Sequence, residues 1–230
     1  MRGGESLAVA TTAGERQTIA LSDGSIVSAS GLTRLSATLS EDARSIVLEQ
    51  GEAFFEVAKD VSRPFIVKAG DTAVTAVGTA FNVRRARERV VVAVAEGRVR
   101  IEATGPPPST NAAPEPVRRI VRLAQLNAGQ QLALGPNELE PRIAAIDVHS
   151  VGGWREGKLQ YLNEPLEIIV ADLARYSARH IRIADAEVGA LRVTGTVFET
   201  NVDAWLESLE GTFPVQVTHR SDGAVELEAR

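Results

Sequence analysis

The chain contains no cysteine. That removes disulfides and thiolate metal sites, although it names no compartment, because envelope domains also live without them. Aromatic residues are scarce: two Trp, two Tyr and six Phe in 230 residues. No apolar run approaches the ~18 residues of a membrane-spanning helix. Met1 is not followed by the basic-then-apolar pattern of a secretory signal. Positive charge is not in excess either. The formal net charge of −5 argues against a nucleic-acid binder, which shows a basic patch or stripe. Arg84, Arg85, Arg87 and Arg89 do cluster, but Glu88 interrupts them. The stretch reads as a solvated loop joining two strands, with contact to an acidic partner as the alternative. What remains is an ordinary folded composition, 44% hydrophobic and 24% charged. The length suits one large domain or two small ones and buries roughly 70% of the unfolded surface.

The first part of the chain reads as all β. Thr18–Leu21 and Ile26–Ser28 flank Asp23-Gly24, a strong hairpin-turn dipeptide. Ser45–Gln50 alternates and feeds Gly51-Glu-Ala-Phe-Phe-Glu-Val57, where Ala53, Phe55 and Val57 share one face and Glu52, Phe54 and Glu56 the other. Further strands are predicted over 65–69, 73–77, 80–84, 90–95 and 98–103, with Glu96-Gly97 as a turn. Val90–Ala95 is apolar on both faces, as in a strand covered on both sides. Gly24, Gly51 and Gly78 fall 27 residues apart twice, which hints at a layered, solenoid-like or sandwich β fold. Residues 105–116, rich in proline, cannot form a ladder and read as a mobile hairpin tip, or alternatively a polyproline ligand. Strands over 120–126 and 130–134 resume around Ala128-Gly129 and keep that loop inside the β domain.

The pattern changes after Asp147. A strand over 158–162 precedes Asn163-Glu-Pro165, a helix-start signal with Asn163 as N-cap. Leu166, Ile169, Val170, Leu173 and Tyr176 follow at helical spacing. After a strand over 180–184 the unit repeats, with a strand over 192–198 and a helix from Asn201 to the Gly211 stop. Strands over 214–219 and 224–229 close the chain. Two domains are therefore predicted: residues 1–148, an antiparallel β sandwich or solenoid-like domain, and 149–230, a small βαβ-βαβ domain.

Candidate chemistry is sparse. His149, His180 and His219 lie 31 and 39 residues apart, with no i, i+4 pairing for a metal. Glu52 and Glu56 share a strand face, but nearby Lys59 and Arg63 favour ordinary surface pairing. No Gly-x-Ser-x-Gly elbow and no phosphate-cradling glycine loop is present. No cofactor or metal is expected. The Gly78-Thr79 bond stands apart: a hydroxyl follows a glycine carbonyl in a bent strand, where an N→O acyl shift can cut the chain. The other reading makes Gly78 a bulge and Thr79 an ordinary strand residue. In the second domain, Val193, Thr194, Thr196, Val197 and Phe198 form a strand suited to accepting an extra strand from a partner.

Leu21-Ser-Asp23-Gly24-Ser25, Gly51-Glu52-Ala-Phe-Phe55-Glu-Val57, Arg63-Pro64-Phe65, Gly78-Thr-Ala-Phe81-Asn-Val83 and Glu96-Gly-Arg-Val99 occur in this order. The order resembles the extracytoplasmic part of FecR-type sigma-factor regulators, strongly over residues 9–102. The second domain is similar to the short domains at the N-termini of secretins and TonB-dependent transducers. The resemblance implies an anti-sigma factor regulator of cell-surface signalling in the inner membrane. Its periplasmic part would bind the signalling domain of an outer-membrane TonB-dependent transducer and control an extracytoplasmic-function sigma factor for iron or siderophore uptake. Members begin with a cytoplasmic anti-sigma region and one membrane helix, neither of which this sequence shows, so it is expected to be the periplasmic portion. Contact with the sigma factor and the membrane would run through those missing parts. Some members cleave themselves at a Gly-Thr bond in this region. The rival expectations are a β-rich carbohydrate-active or metal-dependent envelope enzyme, which needs a pocket of converging titratable groups, and a purely structural envelope module.

Overall fold

The computed structural model describes residues 5–105, 119–135, 143–177 and 180–230. The predicted loop at 105–116 lies, beyond Gly105, outside them. The chain forms two compact units. The first takes residues up to Ala10, Gln17–Ala29 and Thr33–Gly152; the second takes Thr11–Arg16, Ser30–Leu32 and Gly153–Arg230. The second unit thus draws two short segments from the N-terminal part, which periodicity could not assign because each is only a turn between strands.

Unit one is built on β1 (Glu5–Ala10), β2 (Gln17–Ala20), β3 (Ile26–Ala29), β4 (Arg34–Leu39), β5 (Arg44–Glu56), β6 (Phe65–Ala69) and β7 (Thr72–Ala76). It continues with β8 (Ala80–Ala86), β9 (Arg89–Glu96), β10 (Arg98–Gly105), β11 (Arg119–Asn127), β12 (Gln130–Leu134) and β13 (Ile143–Ala145). The 13-residue β5 belongs to two half-sheets. Its first part pairs with β4 and, in parallel, with β6; from Gly51 onward it pairs with β3 and β8. One half runs β1-β4-β5-β6-β7-β10-β11 and the other β2-β3-β5-β8-β9-β12-β13. Among the described residues every pair in the unit is antiparallel except β5–β6.

Gly51 makes the crossing between halves feasible. Its φ is +100°, and a Cβ there would sit 2.3 Å from Thr33 Oγ1 and 2.5 Å from Thr33 Cα. Only glycine fits both demands. The alternation predicted around it places Ala53, Phe55 and Val57 in one cluster with Ile46, Leu48, Phe65, Phe81 and Val92, drawn from both halves. Phe55 stacks on Phe81 at 5.2 Å between centroids and meets Phe65 edge-on at 5.9 Å. Each such ring contributes about 1.5–3 kcal/mol by burial and roughly 0.5–1.5 kcal/mol more by pairing. β9 is buried on both faces from Val90 to Val94. Gly24, Gly51 and Gly78 all have positive φ but occupy a hairpin turn, a strand interior and a bend before β8, three different settings.

Unit two contains β14 (Lys158–Pro165), α1 (Leu166–Leu173), β15 (Ile181–Ile183), α2 (Ala186–Ala190), β16 (Arg192–Phe198), α3 (Val202–Thr212), β17 (Val215–His219) and β18 (Val225–Ala229). β14 pairs antiparallel with β16; β18 lies between β15, parallel, and β17, antiparallel. Leu166, Ile169 and Leu173 are fully buried on the inward stripe of α1. Asn163, expected as its N-cap, is not one. It lies within β14 at φ +50°, where the register with β16 slips between Tyr161 and Glu164. Its N–H donates to Thr194 Oγ1 at 2.9 Å, a β-bulge held by a side chain, and asparagine tolerates that conformation. The residue before the helix is Pro165, with no side-chain cap bond. The short α2 carries too few apolar residues to have been read as a helix.

Candidate functional site

Arg44 organises the part of unit one that the motifs mark. It opens β5, is fully buried, and its guanidinium pairs with Asp23 at 2.7 Å. Nη1 also donates to Ala58 O at 2.8 Å, and Nε to Arg63 O at 3.0 Å. The guanidinium carbon stands 5.4 Å from the centroid of Phe65, cation–π distance, and the Arg44 N–H donates to Pro64 O at 3.1 Å. Asp23 in turn accepts from the Ser25 hydroxyl at 2.7 Å and the Ser25 N–H at 3.0 Å, the side-chain closure that favours aspartate ahead of Gly24 in this turn. Burial alone pushes the Asp23 carboxyl up; Ser25 and Arg44 together outweigh it and hold it below its ordinary value. Asp60 closes the following loop. Ser62 Oγ at 2.6 Å and Arg63 Nε at 2.8 Å donate to it and lower its carboxyl strongly. Asp23, Arg63, Pro64 and Phe65, dispersed in sequence, thus converge on one buried cation, the Arg63 and Pro64 contacts being made by their carbonyls. Sequence reasoning missed Arg44, which stands between Ala43 and Ser45 with nothing local to mark it.

Glu52 is not a surface carboxylate paired with Lys59 or Arg63. It is buried and accepts from Asn82 Nδ2 at 2.8 Å, because its strand face is covered along with Phe54. Arg84 and Arg89 are likewise buried within β8 and β9, and only Arg87 and Glu88 at the connecting turn are exposed. A solvated arginine loop is therefore confined to that tip.

Gly78-Thr79 lies between β7 and β8 and is packed from two sides. Gly78 has φ +69°, and a Cβ on it would lie 2.9 Å from Lys59 Cβ. A Cβ on Gly97 would lie 2.8 Å from Thr79 Cγ2 and 3.3 Å from Gly78 O. Val57 N–H donates to Thr79 O at 2.9 Å. Thr79 is 5% exposed, and its Oγ1 has no hydrogen-bond partner. An unsatisfied buried hydroxyl costs roughly 1–3 kcal/mol, which valine of the same shape would avoid.

In unit two, Val193 and Val197 of β16 are buried, while Thr194, Thr196 and Phe198 face out, Phe198 half exposed. Among the described residues β16 ladders only with β14. Thr194 is already engaged by Asn163, which leaves Thr196 and Phe198 as the outward side chains of that strand without such a role. A polar cleft of about 530 Å³ is lined by Ser177, His180, Glu199, Asn201, Asp203 and Asp222, among others. Among the described residues no group of three or more His, Asp or Glu could hold a metal ion. Among the described residues no helix is long and apolar enough to cross a membrane.

Fold and motifs together define a bent-strand β sandwich followed by a small α+β unit. Residues 8–100, which run from β1 into β10, match the family described as FecR protein. Its whole length is similar to two crystal structures of a candidate anti-sigma factor from Parabacteroides distasonis, at 2.50 Å and 1.65 Å resolution. The TM-score is 0.81 and the identity 22% in both; 98% and 97% of this chain align with 100% and 99% of those chains. No curated protein matches the sequence at a significant level.

Proposed function

We propose that this chain is the periplasmic, signal-receiving part of an anti-sigma factor regulator. Unit two binds the signalling domain of an outer-membrane TonB-dependent transducer, and the outcome is control of an extracytoplasmic-function sigma factor serving iron or siderophore uptake. The observation that carries the reading is the FecR domain over 8–100 joined to a fold shared, end to end, with a candidate anti-sigma factor. The open edge of β16 supplies the docking element. A partner strand would add there through main-chain hydrogen bonds, with Thr196 and Phe198 at the contact. Binding would shift the unit's conformational population. Thr196→Lys places a charge on this exposed position and should weaken transducer binding at least several-fold while leaving the melting temperature within about 2 °C, as for surface substitutions. Unchanged affinity in a folded Thr196→Lys variant would move the interface away from β16.

A second reading concerns Gly78-Thr79, and it is favoured by the unpartnered Thr79 hydroxyl beside a left-handed glycine. In this reading Thr79 Oγ1 attacks the Gly78 carbonyl carbon. The Gly78–Thr79 C–N bond breaks as the ester to Oγ1 forms, and the hydroxyl proton passes to the freed amine. Water then hydrolyses the ester, leaving a Gly78 carboxylate and an N-terminal Thr79. Freshly made protein would then split at residue 78 of its 230, a 24.5 kDa chain giving pieces of about 8 and 16 kDa. Protein that stays intact for days removes this reading and leaves the first untouched.

A further inference from the structure

Strand β17 is an edge closed by a side chain. Arg230 N–H donates to Pro214 O at 3.1 Å and Arg220 N–H to Ala224 O at 2.9 Å, which fixes the alternation of the antiparallel β17–β18 pair. Gln216 and Thr218 therefore exchange main-chain bonds with β18, while Val215, Val217 and His219 turn theirs to the other side. Among the described residues no strand ladders with β17 on that side. Both interior donors there are nevertheless used. The Val215 N–H folds back onto Phe213 O at 2.8 Å, and the Val217 N–H donates to Glu210 Oε1 at 2.6 Å. Glu210 stands in the last turn of α3, which carries no basic residue and where the helix dipole disfavours a carboxylate. Its placement is explained by β17 and not by the helix. The strand itself reads Val-Gln-Val-Thr-His, with no proline, no bulge and no Lys, Arg, Asp or Glu. It lacks the devices that usually protect an edge.

We infer that Glu210 is a stopper that keeps β17 from pairing with β17 of a second copy of this chain. A strand added on this edge needs the Val217 N–H, and the carboxylate holds that donor in a charge-assisted bond. The excluded occupant follows from the strand's own sequence. Two β17 strands laid antiparallel about Val217 set Gln216 opposite Thr218 and Val215 opposite His219, so no like charges meet. Val217 would exchange both its main-chain bonds with its counterpart, a self-complementary contact that closes after two chains. β16 has no equivalent guard. Glu199 N–H donates to Gly157 O at 2.9 Å, which leaves Thr196 and Phe198 with their main-chain groups outward. Among the described residues no side chain accepts from their N–H groups. Glu210 thus makes these two edges unequal, β16 open and β17 shut, whether or not a transducer binds at β16.

Hydrogen exchange and sedimentation of the intact chain test this. Glu210→Ala keeps a good helix former in α3 and removes the acceptor. In dilute solution the Val217 amide should then exchange about tenfold faster, the loss of roughly one hydrogen bond. The Gln216 and Thr218 amides should keep the wild-type rate. On concentration Glu210→Ala should show a self-association step that the wild type lacks, and its Val217 amide should slow again. Glu210→Gln keeps an acceptor at the same atom and should behave as wild type in both measurements. Adding Val217→Pro to Glu210→Ala removes the donor and should abolish the association in a chain that still melts cooperatively. The stopper is overturned if Glu210→Ala leaves the Val217 amide at the wild-type rate or sediments as the wild type does at every concentration. Association that Glu210→Gln shares, or that survives Val217→Pro, overturns it equally.

Discussion

Replacing Arg44 by methionine keeps most of the side-chain volume and removes the charge at the centre of unit one. In the wild type the guanidinium is fully buried, 2.7 Å from a carboxylate that is itself buried, and it satisfies the carbonyls of Ala58 and Arg63. Arg44→Met strands the Asp23 charge with Ser25 as its remaining described partner and leaves the Ala58 and Arg63 carbonyls short of a donor. Breaking a buried pair from one side costs about 3–5 kcal/mol. At roughly 2–4 °C per kcal/mol for a chain of this size, the melting temperature should fall by roughly 6–20 °C, measured by circular dichroism and urea titration at pH 7. Changing both partners, Asp23→Asn with Arg44→Met, should recover part of the loss, because no buried charge then lacks a counter-charge. The pH dependence has a definite sign. The folded Asp23 carboxyl lies below its unfolded value, so its contribution is fully present above the ordinary carboxylate range and is lost as pH falls through the folded value. Arg44→Met removes that residue's lowering of the carboxyl while burial still pushes it up. The Asp23 contribution therefore shrinks, and the stability gap between the two proteins narrows as pH falls. A loss under 1 kcal/mol, or an unchanged difference between the two proteins from pH 7 to pH 4, would refute the central role of Arg44.

Two further outcomes follow from single atoms. Thr79→Val should be neutral or stabilising by up to about 1 kcal/mol in urea titration, since the hydroxyl has no partner, and it should abolish any spontaneous scission seen on a denaturing gel; a clear loss of stability would show that the hydroxyl is bonded after all. Gly51→Ala should destabilise by about 3 kcal/mol or more, through a Cβ 2.3 Å from Thr33 Oγ1 at φ +100°, and a wild-type melting curve would contradict the crossing geometry of β5.

The sequence disclosed what depends on neighbours in the chain. The Asp23-Gly24 turn, the Gly51–Val57 alternation and the doubly apolar Val90–Ala95 each carry their cause within a few residues, and all appear as expected. Arg44 did not announce itself, because its partners come from positions 14 to 21 residues away, where no periodicity reaches. Glu52 and Arg84 were misread for the same reason: strand alternation says which face a residue takes, but not whether that face is covered. Asn163 gave a false helix cap because the residue types that cap helices also fill bulges, and only the register with β16 separates the two. Thr194, expected at a binding edge, turns out to hold that bulge.

The measurement that bears most directly on the proposed function is isothermal titration of this chain with the periplasmic signalling domains of TonB-dependent transducers from the same cell. The account predicts saturable one-to-one binding to at least one of them, abolished by Thr196→Pro in a variant that still melts cooperatively, since proline removes a main-chain donor from β16 and resists an added strand. Absence of heat and of co-elution with every such domain would contradict it.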